Sequence, residues 1–134
     1  MRKLLFALFC ICLLLAAPAR ADDVRDLKGR WVSEATTMAS EEIGLFRNPG
    51  PRVMLVIEKQ LGRVFSGYKT WTLDGEQHKE KLAGAIARDH EVYLIEEKDG
   101  ESHGDYDVAE DSLILYYLEG GSNLKVVETI YSRK

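Results

Sequence analysis

Cysteine is nearly missing from this 134-residue chain, and the two present, Cys10 and Cys12, both fall within the first 21 residues. Those residues have the layout of a secretory leader. Arg2 and Lys3 precede an apolar run from Leu4 to Ala17, and Ala19-Arg20-Ala21 forms a small-x-small cleavage site. The run is shorter than the roughly 20 residues that span a bilayer, so cleavage before Asp22 is expected over retention as an anchor. The mature chain, periplasmic or secreted, then meets an oxidising compartment without a disulfide. That excludes a disulfide-stapled scaffold and requires a packed core. The remaining segment, 22–134, is about 113 residues, enough for one core and one domain.

Other shortages narrow the function. No second apolar stretch is long enough to span a membrane, so none is expected after cleavage. Basic charge is in deficit: without Arg2, Lys3 and Arg20, 15 basic side chains face 22 acidic ones, a formal charge near −7. Such a surface repels phosphate backbones and anionic headgroups, so nucleic acid is not an expected partner. Catalytic groups are sparse. A Cys-His pair is impossible in the mature chain, and His78, His90 and His103 are scattered with no Ser-His-Asp pattern, so neither an enzyme nor a cofactor is expected. Glu101, His103, Asp105 and Asp107 alternate along one run with Ser102, Gly104, Tyr106 and Val108 on its other face. Alternate side chains project together, but this spacing is too long for one tight ion site; it reads as a solvated strand face, and no metal is expected.

Short extended segments fill the rest of the chain. Strands are expected near 29–39, 52–60, 63–73, 77–88, 91–98, 101–109, 112–119 and 123–133. The breaks are Leu61-Gly62, Asp74-Gly75, Asp89-His90, Asp99-Gly100, Glu110-Asp111 and the Gly120 to Asn123 run, and Asp-Gly suits a two-residue type I′ hairpin. Tight hairpins make each strand antiparallel to the last, because parallel neighbours need long crossovers. The fold class is therefore all-β, an eight-stranded antiparallel up-and-down meander. Pairing the first strand with the eighth removes both free edges and makes a β-barrel; an open or sandwiched sheet is the alternative. One connection is long. The segment from Ser40 to Pro51 holds both prolines beyond the leader, Pro49 and Pro51, and carries Ile43, Leu45 and Phe46. Those apolar side chains form either a lid over the barrel mouth or a patch packed on its rim.

Several landmarks occur in order: Leu27-x-Gly29-x-Trp31, Gly62-x-x-Phe65-Ser66-Gly67, Leu82-Ala83-Gly84 and Ile130-Tyr131-Ser132-Arg133. The chain thereby resembles the calycin superfamily of barrels, most nearly the avidin-like or lipocalin-like type, over nearly all of its mature length. The resemblance implies that Gly29, Trp31 and Arg133 plug one end of the barrel, with the Arg133 guanidinium over the indole. Gly67 and Gly84 within strands mark close backbone approach. The resemblance does not extend to biotin: Ser33 and Thr37 fall at the first-strand polar positions, but Lys69 stands where the family has tyrosine and Thr129 where it has asparagine, and only Trp71 remains as an aromatic wall.

If Trp31 points inward, strict alternation sends Ser33, Ala35 and Thr37 inward, together with Arg133, Tyr131, Thr129 and Val127. An eight-stranded barrel either fills with side chains or holds one small ligand. The candidate ligand-binding residues are Ser33, Thr37, Phe46, Tyr68, Lys69, Trp71 and Thr129. Residues 92–95, 113–118 and 126–127 are apolar on both strand faces, so the outer wall needs a cover, and a homo-oligomer is expected. The expected function is a non-catalytic exported barrel that binds a small apolar or amphipathic molecule at its open end. The alternative is a periplasmic protein-interaction or enzyme-inhibitor barrel acting through its N-terminal arm or loops.

Overall fold

A computed structural model describes residues 24–50, 52–98 and 100–134, so the expected leader, Met1 to Ala21, and the Asp99 half of one expected turn lie outside the described residues. Nine strands follow in order: β1 (Gly29–Ser40), β2 (Gly44–Pro49), β3 (Val53–Leu61), β4 (Val64–Leu73), β5 (Glu76–Ile86), β6 (Glu91–Glu96), β7 (Gly100–Asp107), β8 (Ser112–Glu119) and β9 (Lys125–Arg133). From β3 to β9 each strand pairs antiparallel with the next, and β1 pairs with both β3 and β9. The result is a closed eight-stranded up-and-down barrel, with β2 as a ninth strand added to its wall. Turn chemistry sets the meander. Asp74 and Gly75 have φ of 51° and 81°, the positive values that a type I′ hairpin demands. No helix among the described residues is long and apolar enough to cross a membrane.

The ninth strand corrects the expectation of a loop between Ser40 and Pro51. β1 runs on past β3, and its residues Ala35 to Ser40 would leave backbone groups unpaired on that edge. β2 pairs with these residues, from Ala35 opposite Pro49 to Ser40 opposite Gly44. The Ser40 Oγ accepts from the Ile43 N–H at 2.9 Å and closes the turn. Thus β2, which ends at Pro49, and β3, which begins at Val53, continue one another along β1. β2 pairs with β1 alone, while the β3–β4 ladder ends at Val53 opposite Trp71. Above that level no ladder joins β2 to β4, and the barrel wall is split.

A β-bulge lies at the same height in β1. The register with β9 slips between Ser33 and Ala35, and the Glu34 carbonyl accepts from the Gly50 N–H at 2.7 Å. One extra residue reverses the facing of everything beyond it. Thr36 and Met38 line the interior, and Thr37 is exposed, the opposite of strict alternation.

The core occupies the lower part of the barrel. Trp31 is 0% exposed and packs within a buried cluster that includes Leu27, Leu55, Ile57, Phe65, Leu82, Ile86, Val92, Leu113 and Tyr131. Its Nε1–H donates to the Leu27 carbonyl at 2.9 Å, the Tyr106 ring meets it edge-on at 6.1 Å, and the Arg133 guanidinium carbon lies 4.3 Å from its ring centre. Arg133 also donates to the carbonyls of Lys28 and Asp26 at 2.8 and 2.9 Å and pairs with Asp111 at 2.8 Å. Gln60 accepts from the Leu27 N–H and donates to the Arg25 carbonyl, each at 2.7 Å. Residues 25–28 are thereby tied across the barrel base. Close approach accounts for Gly67: a Cβ there would stand 1.8 Å from the Val56 carbonyl oxygen on β3.

The base has an acid-sensitive tie. The Arg133 hydrogen bond, and then that of Tyr106, hold the Asp111 carboxyl below its ordinary value of 3.8. A carboxyl depressed by folding contributes stability that is present above its unfolded pKa and is lost as pH falls through its folded one. Urea midpoints for the wild type should therefore fall faster below about pH 4 than those of Asp111→Asn. Parallel acid limbs would show that this tie adds no stability.

Candidate functional site

Above the core the barrel is hollow. A cavity of about 380 Å³ begins over Leu55, Leu82, Leu94 and Leu115 and opens at the end opposite Trp31, between Met38, Phe46, Asn48, Arg52, Thr72 and Leu73. Alternation along each strand aims these side chains inward. On β4 the inward set is Phe65, Lys69 and Trp71, on β6 it is Val92, Leu94 and Glu96, and on β9 it is Val127, Thr129 and Tyr131. The split wall places Arg52 and Thr72 at the mouth. Trp71 stacks on His78 at 5.3 Å, across the β4–β5 ladder.

The expected site residues divide. Phe46, Lys69, Trp71 and Thr129 all line the cavity. Phe46 stands opposite Met38 in the β1–β2 ladder and forms part of the mouth, while its neighbours Ile43 and Leu45 are 63% and 89% exposed and point away. Ser33, Thr37 and Tyr68 do not line it, and each has a reason. Ser33 is buried below the cavity, where its Oγ accepts from the Arg52 and Val53 N–H groups at 2.9 and 3.0 Å and satisfies the break between β2 and β3. Thr37 is turned out by the bulge. Tyr68 lies on the outer face of β4, its ring under the Lys79 ammonium at 3.7 Å.

A polar group sits within these apolar walls. Lys69 and Glu96 form an ion pair whose side chains are 19% and 6% exposed. The Lys69 ammonium lies 5.2 Å from the Trp71 ring centre and 5.6 Å from that of Tyr117, and the Ser102 hydroxyl donates to Glu96 at 3.4 Å. Directly opposite Lys69 in the β4–β5 ladder is Glu80, 6% exposed, whose Oε1 accepts from the Lys98 N–H at 2.6 Å. Nearer the rim, Lys125 pairs with Glu119 at 2.6 Å, and the Tyr117 hydroxyl donates to the same carboxylate at 2.9 Å. Burial, then hydrogen bonding to Glu119, then the charges of Glu119, Glu96 and Glu80 push the Tyr117 phenol well above its ordinary value. Burial raises Tyr131 as strongly, with Glu96 second, so both phenols stay neutral hydrogen-bonding groups at physiological pH.

Glu80 and Glu96 escaped the sequence reading although a signal was there. Val92-x-Leu94-x-Glu96 and Glu80-x-Leu82 each continue an apolar face into a carboxylate, so period two alone aims both acids at the core side. Glu101, His103, Asp105 and Asp107 are exposed on the outer face of β7, and among the described residues no three His, Cys, Asp or Glu side chains gather into a metal-binding group.

No family model matches this chain, and no curated protein or solved structure matches it. Its geometry alone therefore places it: a closed eight-stranded antiparallel barrel, consistent with calycin-like architecture, plugged at the Trp31 end and hollow at the other.

Proposed function

We propose that the protein is an exported, non-catalytic barrel that binds a small amphipathic molecule in the cavity above Leu55. The carrying observation is the cavity itself: about 380 Å³ walled mainly by apolar side chains, with a few convergent polar groups at depth and an open mouth. That combination is the usual form of a small-molecule site. Among calycin-like barrels the avidin-like frame is the finer resemblance, and it rests on the ordered landmarks from Leu27 to Arg133. Lys69, Trp71, Phe46 and Thr129 are the proposed contacts.

The alternative, an interaction or inhibitor barrel, is supported less. An arm that inserts into a partner must be free, whereas residues 25–28 are bound to Gln60 and Arg133. The outer wall supports self-association: Tyr93 and Ile95 on β6 and Val126 on β9 are 49%, 66% and 41% exposed.

Native mass spectrometry of the mature protein purified from its exporting cell tests both parts. A stoichiometric small-molecule adduct that is lost in Trp71→Ala, on a dimer or larger assembly, is the expected spectrum. A bare monomer accompanied by a co-purifying protein would remove the small-ligand reading in favour of the interaction barrel.

A further inference from the structure

The cavity floor has two carboxylates and one cation. Lys69 is committed to Glu96, in a pair that Ser102 supports from the other carboxylate oxygen. Glu80, itself 6% exposed, accepts one hydrogen bond, from a backbone N–H, and its Oε2, which is not sealed from the cavity's solvent, accepts none among the described residues. A carboxylate on an apolar cavity wall with no cation of its own disfavours an anionic or neutral neighbour, and a cation that reaches it offsets the cost of displacing its water. The other charges on the cavity do not serve. Lys125 is held by Glu119, and Arg52 is exposed at the split in the wall, where solvent screens it.

From this imbalance, and resting on the small-ligand reading above, we infer that the ligand is an amphipathic amine. Its protonated nitrogen lodges beside Glu80, and its apolar part runs along Leu55, Leu82, Leu94 and Leu115. The aromatic lining favours the same sign of charge: Trp71 and Tyr117 already hold the Lys69 ammonium near their rings, and ring faces attract cations. A carboxylate ligand of the same shape has to compete with Glu96 for Lys69 and sit beside Glu80. A neutral alcohol gains the apolar contact and nothing from the charge.

The test is titration calorimetry of the mature protein at neutral pH with three probes of equal chain length: octylammonium, 1-octanol and octanoate. Octylammonium should bind about tenfold or more tighter than 1-octanol, as a charge-assisted hydrogen bond in a shielded site implies, and octanoate should bind weakest. In Glu80→Gln the preference for the amine should fall by about tenfold while 1-octanol affinity stays within about twofold, and Glu80→Asp should keep the preference. The unchanged alcohol affinity shows that the variant is folded and its cavity intact. If 1-octanol or octanoate matches octylammonium, or if Glu80→Gln leaves the preference untouched, the amine assignment falls and the small-ligand reading stands. If none of the three binds, both fall together.

Discussion

Replacing Trp31 by alanine should cost about 3–5 kcal/mol, the range for truncating a fully buried aromatic side chain, and leave the barrel close to unfolded at room temperature. Three contacts go at once. The apolar plate closes the base, its N–H satisfies the Leu27 carbonyl, and its ring carries the Arg133 guanidinium. Without it Arg133 keeps its bonds to Asp111, Lys28 and Asp26 but hangs over a void. Trp31→Phe separates these effects. It restores most of the volume and leaves the Leu27 carbonyl unpaired, so it should lose about 1–2 kcal/mol. Equilibrium urea unfolding of the two variants measures both. A Trp31→Ala variant within about 1 kcal/mol of wild type would show that the base collapses without its plug, and the closure described above would be wrong.

Lys69→Met is the second large effect. Breaking a buried pair by removing one partner typically costs about 3–5 kcal/mol, and here the loss strands Glu96, its side chain 6% exposed, beside a second carboxylate, Glu80, that already lacks a cation. Adding Glu96→Leu to Lys69→Met should recover most of the loss at neutral pH, because an apolar replacement of the whole pair carries no stranded charge. Urea unfolding of the single and double variants distinguishes this from simple loss of lysine packing, which removing Glu96 does not relieve. A double variant no more stable than Lys69→Met would contradict the buried-pair reading.

The two predictions concern opposite ends of the barrel, and these were unequally legible in the sequence. The closed end could be anticipated because its signals are local: the landmarks Gly29-x-Trp31 on the first strand and Arg133 on the last carry the resemblance that implied a plug, and turn residues mark hairpins at Asp74-Gly75 and near His90 and Asp111, where φ is positive. A tight turn makes consecutive strands neighbours, so the meander follows from the turns, and its closure was expected over an open sheet because it leaves no free edge. The open end could not be read in the same way. Its lining was projected from Trp31 by strict alternation, and the bulge at Glu34 reversed the parity, moving Thr37 out and Thr36 and Met38 in.

Sequence by itself determined the class, the number of barrel strands and their order, since each of these depends on periodicity and on backbone demands that individual residues announce, while the plugged base was what the resemblance in its landmarks implied. Tertiary structure decided the rest. That β1 would overrun β3 and recruit residues 44–49 as a ninth strand depends on an edge left unpaired only once the barrel has closed. The meeting of Lys69 with Glu96, and the stranding of Glu80 beside them, depends on register between strands, which a sequence leaves open to a shift of one residue. The physical reason is common to both: a barrel interior is assembled from side chains distant in sequence, and its charge balance exists only after they have been brought together.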